Sequence, residues 1–171
     1  MESEEICAKY LQLNDIILYN GNKYKVSELD FSAIVLESID HSQKITVPGI
    51  INGTVIEEAS KKEDTAIISA EQLMLDDLVY LPGDNLKQYR VKKLKTNSIT
   101  LKDGDSEFIM SKVDGIPLRE DIIRDYEYPF IEIEGNNFFI FSKNNEFPSP
   151  KNIRYLHEFQ HILNEFNVNS L

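Results

Sequence analysis

The chain has 171 residues, 42% of them hydrophobic and 27% charged, with a formal net charge of −11. That length and apolar share allow a sizeable core in one domain or two small ones, and only 7 Gly and 6 Pro with no low-complexity run argue against disorder. Phosphate backbones and anionic membranes attract cationic surfaces, so the acidic balance disfavours nucleic acid and membrane as partners.

The first ten residues, MESEEICAKY, are acidic and lack the basic region and apolar run of a signal peptide. Residues 1–10 are expected as a flexible tail. Cys7 is the single cysteine, so no internal disulfide can form, which fits a reducing, cytoplasmic compartment. No apolar stretch approaches the ~18 residues of a membrane-spanning helix.

Residues 11–36 and 73–101 resemble each other. Leu11, Leu13, Asp15, Ile16, Ile17 and Gly21 match Leu73, Leu75, Asp77, Leu78, Val79 and Gly83. After a three-residue insertion, Tyr24, Val26, Leu29, Ile34 and Leu36 match Tyr89, Val91, Leu94, Ile99 and Leu101. Shared apolar positions together with a shared glycine point to an internal repeat. Each copy reads as β structure. In IILYNGNKYKV two β-prone runs flank Asn20-Gly21, a dipeptide that tolerates the positive φ of a tight hairpin. Tyr24 and Val26 alternate with Lys23, Lys25 and Ser27, giving one buried and one wet face. SAIVLES and NSITLKD each supply a third strand, and QKITV and EFIMSK a fourth. The expected architecture is mainly β: two tandem SH3-like small barrels or twisted sheets, 11–69 and 70–118.

Residues 119–171 are expected to add a short helix, a β-hairpin and a C-terminal helix packed on the second unit. The short helix follows Pro117 and carries Ile122 and Ile123. The hairpin turns at Gly135-Asn136 and brings the aromatic Phe130, Phe138, Phe139 and Phe141. Ser149 as a cap and Pro150 at the first helical position predict a helix from 150 to about 166.

The segments LNDIILYNGNKYKV, VDGIPLREDII and NIRYLHEFQHIL, in that order, resemble a group of small uncharacterised proteins common in Bacteroides-type gut bacteria and their mobile elements. In that group a stretch like LRIGNYVKYNGKIYKV precedes PIPLTEE, and the chain closes with something like IKYVHELQNLYF. The resemblance covers most of 73–166 and implies a fold without implying an activity. The group commonly has Asn where this chain has His161, so the resemblance makes His157 and Glu158 part of a helix pattern that needs no second metal ligand.

HEFQH, residues 157–161, satisfies the zinc-hydrolase pattern H-E-x-x-H. His157 and His161, one helical turn apart, could share a divalent metal, with Glu158 as general base on a bound water. The helical wheel argues otherwise. Ile153, Tyr155, Leu156, Phe159, Ile162, Leu163 and Phe166 fall on one arc, which turns His157, His161, Arg154, Glu158, Asn164 and Glu165 to water. A third ligand is also hard to find: Glu165 lies too far along the helix, and His41 belongs to the first β unit. Leu156, Phe159, Leu163 and Phe166 are therefore expected as docking residues, with adventitious metal at the His pair the lesser role and no resident cofactor. The basic strand KQYRVKKLK (Lys87, Arg90, Lys92, Lys93, Lys95) is expected as a solvated face balanced by acids. Asp15 and Asp77, at matching positions, are expected to cap turn amides. The functional expectation is a non-enzymatic module that binds a protein or small ligand, ahead of a minimal zinc hydrolase and of a phage or accessory factor that sequesters a host component.

Overall fold

The structure is a computed structural model that describes residues 3–59, 66–124, 131–134, 137–140 and 151–165. The chain divides into two compact units, Met1–Asp114 and Gly115–Leu171.

In the first unit six strands come before residue 60: β1 (Glu4–Cys7), β2 (Ile16–Tyr19), β3 (Asn22–Asp30), β4 (Ala33–Ser38), β5 (Lys44–Pro48) and β6 (Ile50–Glu57). They pair antiparallel in the order β1-β6-β2-β3-β4-β5. Six more follow: β7 (Ile67–Ser69), β8 (Leu78–Tyr80), β9 (Gln88–Lys95), β10 (Ser98–Asp103), β11 (Ser106–Met110) and β12 (Lys112–Asp114). Their antiparallel order is β7-β12-β8-β9-β10-β11, which matches the first set strand for strand. The two sets join through β3 and β9 into one open sheet. The expected mainly β character is what the structure shows, in an antiparallel sheet.

Local chemistry explains the strands. At the β2–β3 turn Asn20 and Gly21 both have positive φ, 48° and 80°, the pair of left-handed residues a two-residue hairpin requires. The turn closes on the Tyr19–Asn22 pair. In β3 the register slips between Val26 and Glu28, which leaves Ser27 as an extra residue, its hydroxyl donating to the Val35 carbonyl at 3.2 Å. In β9 the slip leaves Lys92 extra, between Val91–Leu101 and Lys93–Thr100. A bulge bends its strand and increases local twist. Each long strand therefore curls at the same point relative to Val26 and Val91, and the apolar faces turn inward. Leu11, Leu13, Ile17, Val26, Leu29, Ile34 and Leu36 share one buried cluster with Leu73, Leu75, Val79, Val91, Leu94, Ile99 and Leu101.

The entry to each set is built alike. Short 3-10 turns at Ala8–Tyr10 and Ala70–Gln72 lead into Leu11 and Leu73. Asn14 and Asp76 then take φ near 75°, a conformation that Asn and Asp tolerate better than other side chains. The Asp15 carboxylate accepts the Gln12 amide at 2.8 Å, and that of Asp77 accepts the Met74 amide at 2.7 Å. The same corners are pinned to the long strands: Val26 N–H donates to Asp15 O and Val91 N–H to Asp77 O, both at 2.9 Å.

Two boundaries differ from expectation. Residues 4–10 are not a tail: β1 pairs with β6, Ile6 and Ala8 are buried, and the Ala8 amide donates to Gly49 O at 2.7 Å. The acidic letters of this stretch hide a strand whose one buried residue is Ile6, followed by a 3-10 turn that buries Ala8. Likewise β7, placed by the sequence at the end of the first unit, pairs with β12 and belongs to the second set.

In the second unit, α1 (Glu120–Arg124) is the expected short helix. A three-stranded sheet holds β13 (Ile131–Glu134), β14 (Asn137–Ile140) and β15 (Lys151–Ile153) in the order β13-β14-β15. The expected hairpin thus exists, with its Gly135-Asn136 tip outside the described residues. The terminal helix α2 spans Leu156–Glu165, shorter than the expected 150–166. Residues 151–153 are taken by β15, because Asn152 and Ile153 pair with Phe139 and Phe138. A bridge between Pro117 and Tyr155, with Leu156 N–H donating to Ile116 O at 2.9 Å, ties the helix start to the 116–118 segment.

The β3–β9 junction is short and charged. Leu29 faces Leu94, flanked by Glu28–Lys95 and Asp30–Lys93. Glu28 and Lys95 approach to 3.5 Å. Burial opposes ionisation of Asp30, but hydrogen bonds from the Ser32 amide and hydroxyl, aided by Lys93 and Lys92, outweigh it and hold its carboxyl below the ordinary range. Replacing Glu28 and Asp30 by Lys should lower unfolding stability in urea by about 1–2 kcal/mol, since like charges then oppose each other across the pair. Adding Lys93→Glu and Lys95→Glu should recover most of the loss, which a double-mutant cycle would read.

Candidate functional site

The HEFQH helix is the sequence's strongest catalytic pattern, and the structure gives its letters other work. Leu156 is the first helical residue, so Glu158 stands at the third position. Its Oε2 accepts the backbone amides of Arg154 at 2.7 Å and Tyr155 at 2.8 Å. The first amides of a helix have no partner inside it, and a carboxylate there satisfies them and favours the positive end of the helix dipole. Glu158 is a capping residue.

His157 does not face water. It is 1% exposed, and its ring lies 6.0 Å from that of Tyr155 in a stacked arrangement. The wheel misplaces it because α2 is buried over more than its apolar arc: Gln160 is also buried, alongside Leu156, Phe159, Ile162 and Leu163. His161, half-buried, meets His157 edge to face at 5.7 Å. Among the described residues no group of three His, Cys, Asp or Glu side chains is placed to hold a metal ion. His41, in the first unit, bonds Glu37 through Nδ1 at 2.8 Å. Of the expected docking residues, Leu156, Phe159 and Leu163 are buried, while Phe166 lies outside the described residues.

The basic stretch is β9 with Lys87 just before it, and four of its five cations pair with acids. Lys87 pairs with Asp103, Arg90 with Asp76, Lys92 with Glu107, and Lys95 with Glu28. Exposed pairs of this kind contribute little to stability, yet they place a carboxylate beside each of these four cations.

A cavity lined by described residues lies in the first unit. It is an open groove of about 660 Å³, within the size range of ligand pockets. Leu13, Ile16, Ile39, Ile56 and Ala59 give it apolar lining, and Asn14, Lys23, Glu57, Glu58 and Glu71 complete it. All but Glu71 come from the first six-stranded set and its outgoing segment. Asp15 anchors one side: its Oδ2 takes the Gln12 amide and its Oδ1 the Ala59 amide, 44 residues away, each at 2.8 Å. Burial raises the Asp15 carboxyl above its ordinary pKa and outweighs those two hydrogen bonds, and repulsion from Glu58 adds to the rise. Sequence reasoning passed over this lining. Ile39 was legible as an apolar residue in the polar turn ESIDHSQ, and it is 52% exposed. Glu57 and Glu58 open a charged run, EEASKKED, that carries no pattern marking a site.

Comparison with known protein families, with curated proteins and with solved structures gives no match.

Two expectations follow from these carboxylates. Glu158→Ala should cost about 1 kcal/mol in urea unfolding through the lost cap, and Glu158→Gln distinctly less because an acceptor oxygen remains; equal losses would remove the capping role. At Asp15 the folded state holds its proton more tightly than the unfolded chain. Its contribution therefore favours folding at low pH and is lost as pH rises through the raised value. Asp15→Asn sets an amide donor against one of two backbone amides and should cost about 1–3 kcal/mol. Urea titrations across pH should show the stability gap between the native protein and Asp15→Asn widening as pH falls from neutral.

Proposed function

We propose that the chain is a non-enzymatic binding module of a bacterium or its mobile element, built from two SH3-like β units related by internal duplication, and that the groove beside Asp15 is its binding surface. The observation that carries the reading is that groove. It is concave, with apolar and polar residues sharing its lining about equally, and its wall is held by a buried carboxylate that spans two distant segments. The duplication is supported by the matching strand orders, the bulges at Ser27 and Lys92, and the paired turns at Asp15 and Asp77. In a duplicated module the two sets need only one sheet geometry, and differences in their loops then create a site in one set alone.

The ion pairs along β9 support a partner other than nucleic acid, because counterion release requires cations available to phosphate. Among the described residues no helix is long and apolar enough to cross a membrane. A cytoplasmic setting fits the single cysteine and the charge of −11. The metal-hydrolase reading carries less weight, because Glu158 is engaged by two backbone amides and His157 is buried.

The uncharged, solvatochromic dye Nile red tests the groove directly. The native protein should bind it saturably, and Ala59→Trp, which puts a large side chain into the lining, should abolish that signal without lowering the melting temperature. Binding that survives the substitution would move the site elsewhere.

A further inference from the structure

The groove's lining is electrically one-sided. Glu57, Glu58 and Glu71 line it, against a single cation, Lys23, among the described lining residues. Carboxylates beside a low-dielectric apolar surface focus a negative potential that water screens less well than on an open face. Asp15 registers this field, since repulsion from Glu58 contributes to the rise of its carboxyl pKa. The apolar share is equally specific. Ile16 and Ile56 line the groove and the half-exposed Ile39 extends apolar surface outward.

The carboxylates come from two segments, the end of β6 with Glu58 after it and the 3-10 turn at 70–72, and they share the lining with apolar side chains. That distribution suits repeated cationic and apolar groups better than one point charge. An extended peptide presents its side chains to alternate sides, so inside a concave groove Lys or Arg can meet one wall and apolar residues the other from one backbone.

We propose, resting on the binding-module reading above, that the groove takes a basic, amphipathic peptide segment of a partner protein. Glu57 and Glu58 hold its cationic side chains, and Ile16, Ile39 and Ile56 receive its apolar ones. Lys23 opposes the binding and limits which basic sequences fit.

The test uses the full chain and three blocked hexapeptides with the same apolar residues, Leu-Lys-Ile-Lys-Leu-Lys and its counterparts with Gln or Glu in place of Lys, titrated by calorimetry. The Lys peptide should bind about tenfold or more tightly than the Glu peptide, with the Gln peptide between them. Glu57→Gln with Glu58→Gln should reduce that preference to about threefold, Lys23→Gln should increase it about twofold, and high salt should compress it. A preference unchanged by Ala59→Trp would come from the net charge of the whole protein and would overturn the proposal. Equal binding of all three peptides, or no binding of the Lys peptide by protein that still binds Nile red, would overturn the peptide inference and leave the groove standing. Loss of Nile red binding as well would remove the binding-module reading itself.

Discussion

The first unit depends on one extra residue in each of β3 and β9, the strands that join its two sets. A flat antiparallel sheet would leave the apolar faces of β3 and β9 pointing at solvent. The bulges at Ser27 and Lys92 bend both strands and turn those faces onto the buried cluster. Beyond the bulges, Glu28–Asp30 and Lys93–Lys95 pair with each other. The bulged strands are thus also the ones that join the two sets. The residues that meet across the junction are equivalent by sequence, Leu29 facing Leu94, so the pairing has a local twofold character within one chain. Acids on one strand against bases on the other also give it a preference that two identical strands would lack.

A second constraint holds the corners. The chain must turn sharply from each 3-10 segment into the sheet, which exposes backbone amides in a place water does not reach. Asp15 and Asp77 answer with carboxylates buried to 5% and 1% exposure. Burying a charge is costly unless its oxygens are hydrogen-bonded. Asp15 meets that condition twice, at Gln12 and Ala59, and the second bond reaches the segment that follows β6. The two corners consequently share a geometry while differing in use: one also fixes the wall of a groove.

These features were unequally visible in the sequence. The hairpin at Asn20-Gly21, the alternation of Tyr24 and Val26, and the correspondence of Val26–Leu36 with Val91–Leu101 all depend on local patterns that the structure reproduces as pairs. The strand at Glu4–Cys7 was hidden because an edge strand with one buried side chain leaves almost no alternation to read. The strand at Lys151–Ile153 was hidden because three residues next to a helix follow the helical reading by default. His157 exposes a deeper limit. A wheel sorts side chains by polarity, whereas burial is decided by how much of the helix surface is covered, and here the cover extends to His157 and Gln160. The groove was least legible, since its lining gathers residues 13 to 71 from several turns that no single window contains.

The letters H-E-x-x-H show how one pattern can arise from two physical demands. A metal site wants Glu between histidines as a base. A helix start wants Glu at the third position because the carboxylate reaches back to amides that have no partner within the helix. Only the second demand is local, requiring nothing beyond Arg154, Tyr155 and Glu158 themselves. The first requires a further ligand and a cleft contributed by other parts of the chain. When a motif coincides with a helix start, the local explanation therefore takes precedence until distant residues are shown to converge. In this chain convergence of distant residues is seen at the groove, where Asp15 and Ala59 are drawn together across 44 positions.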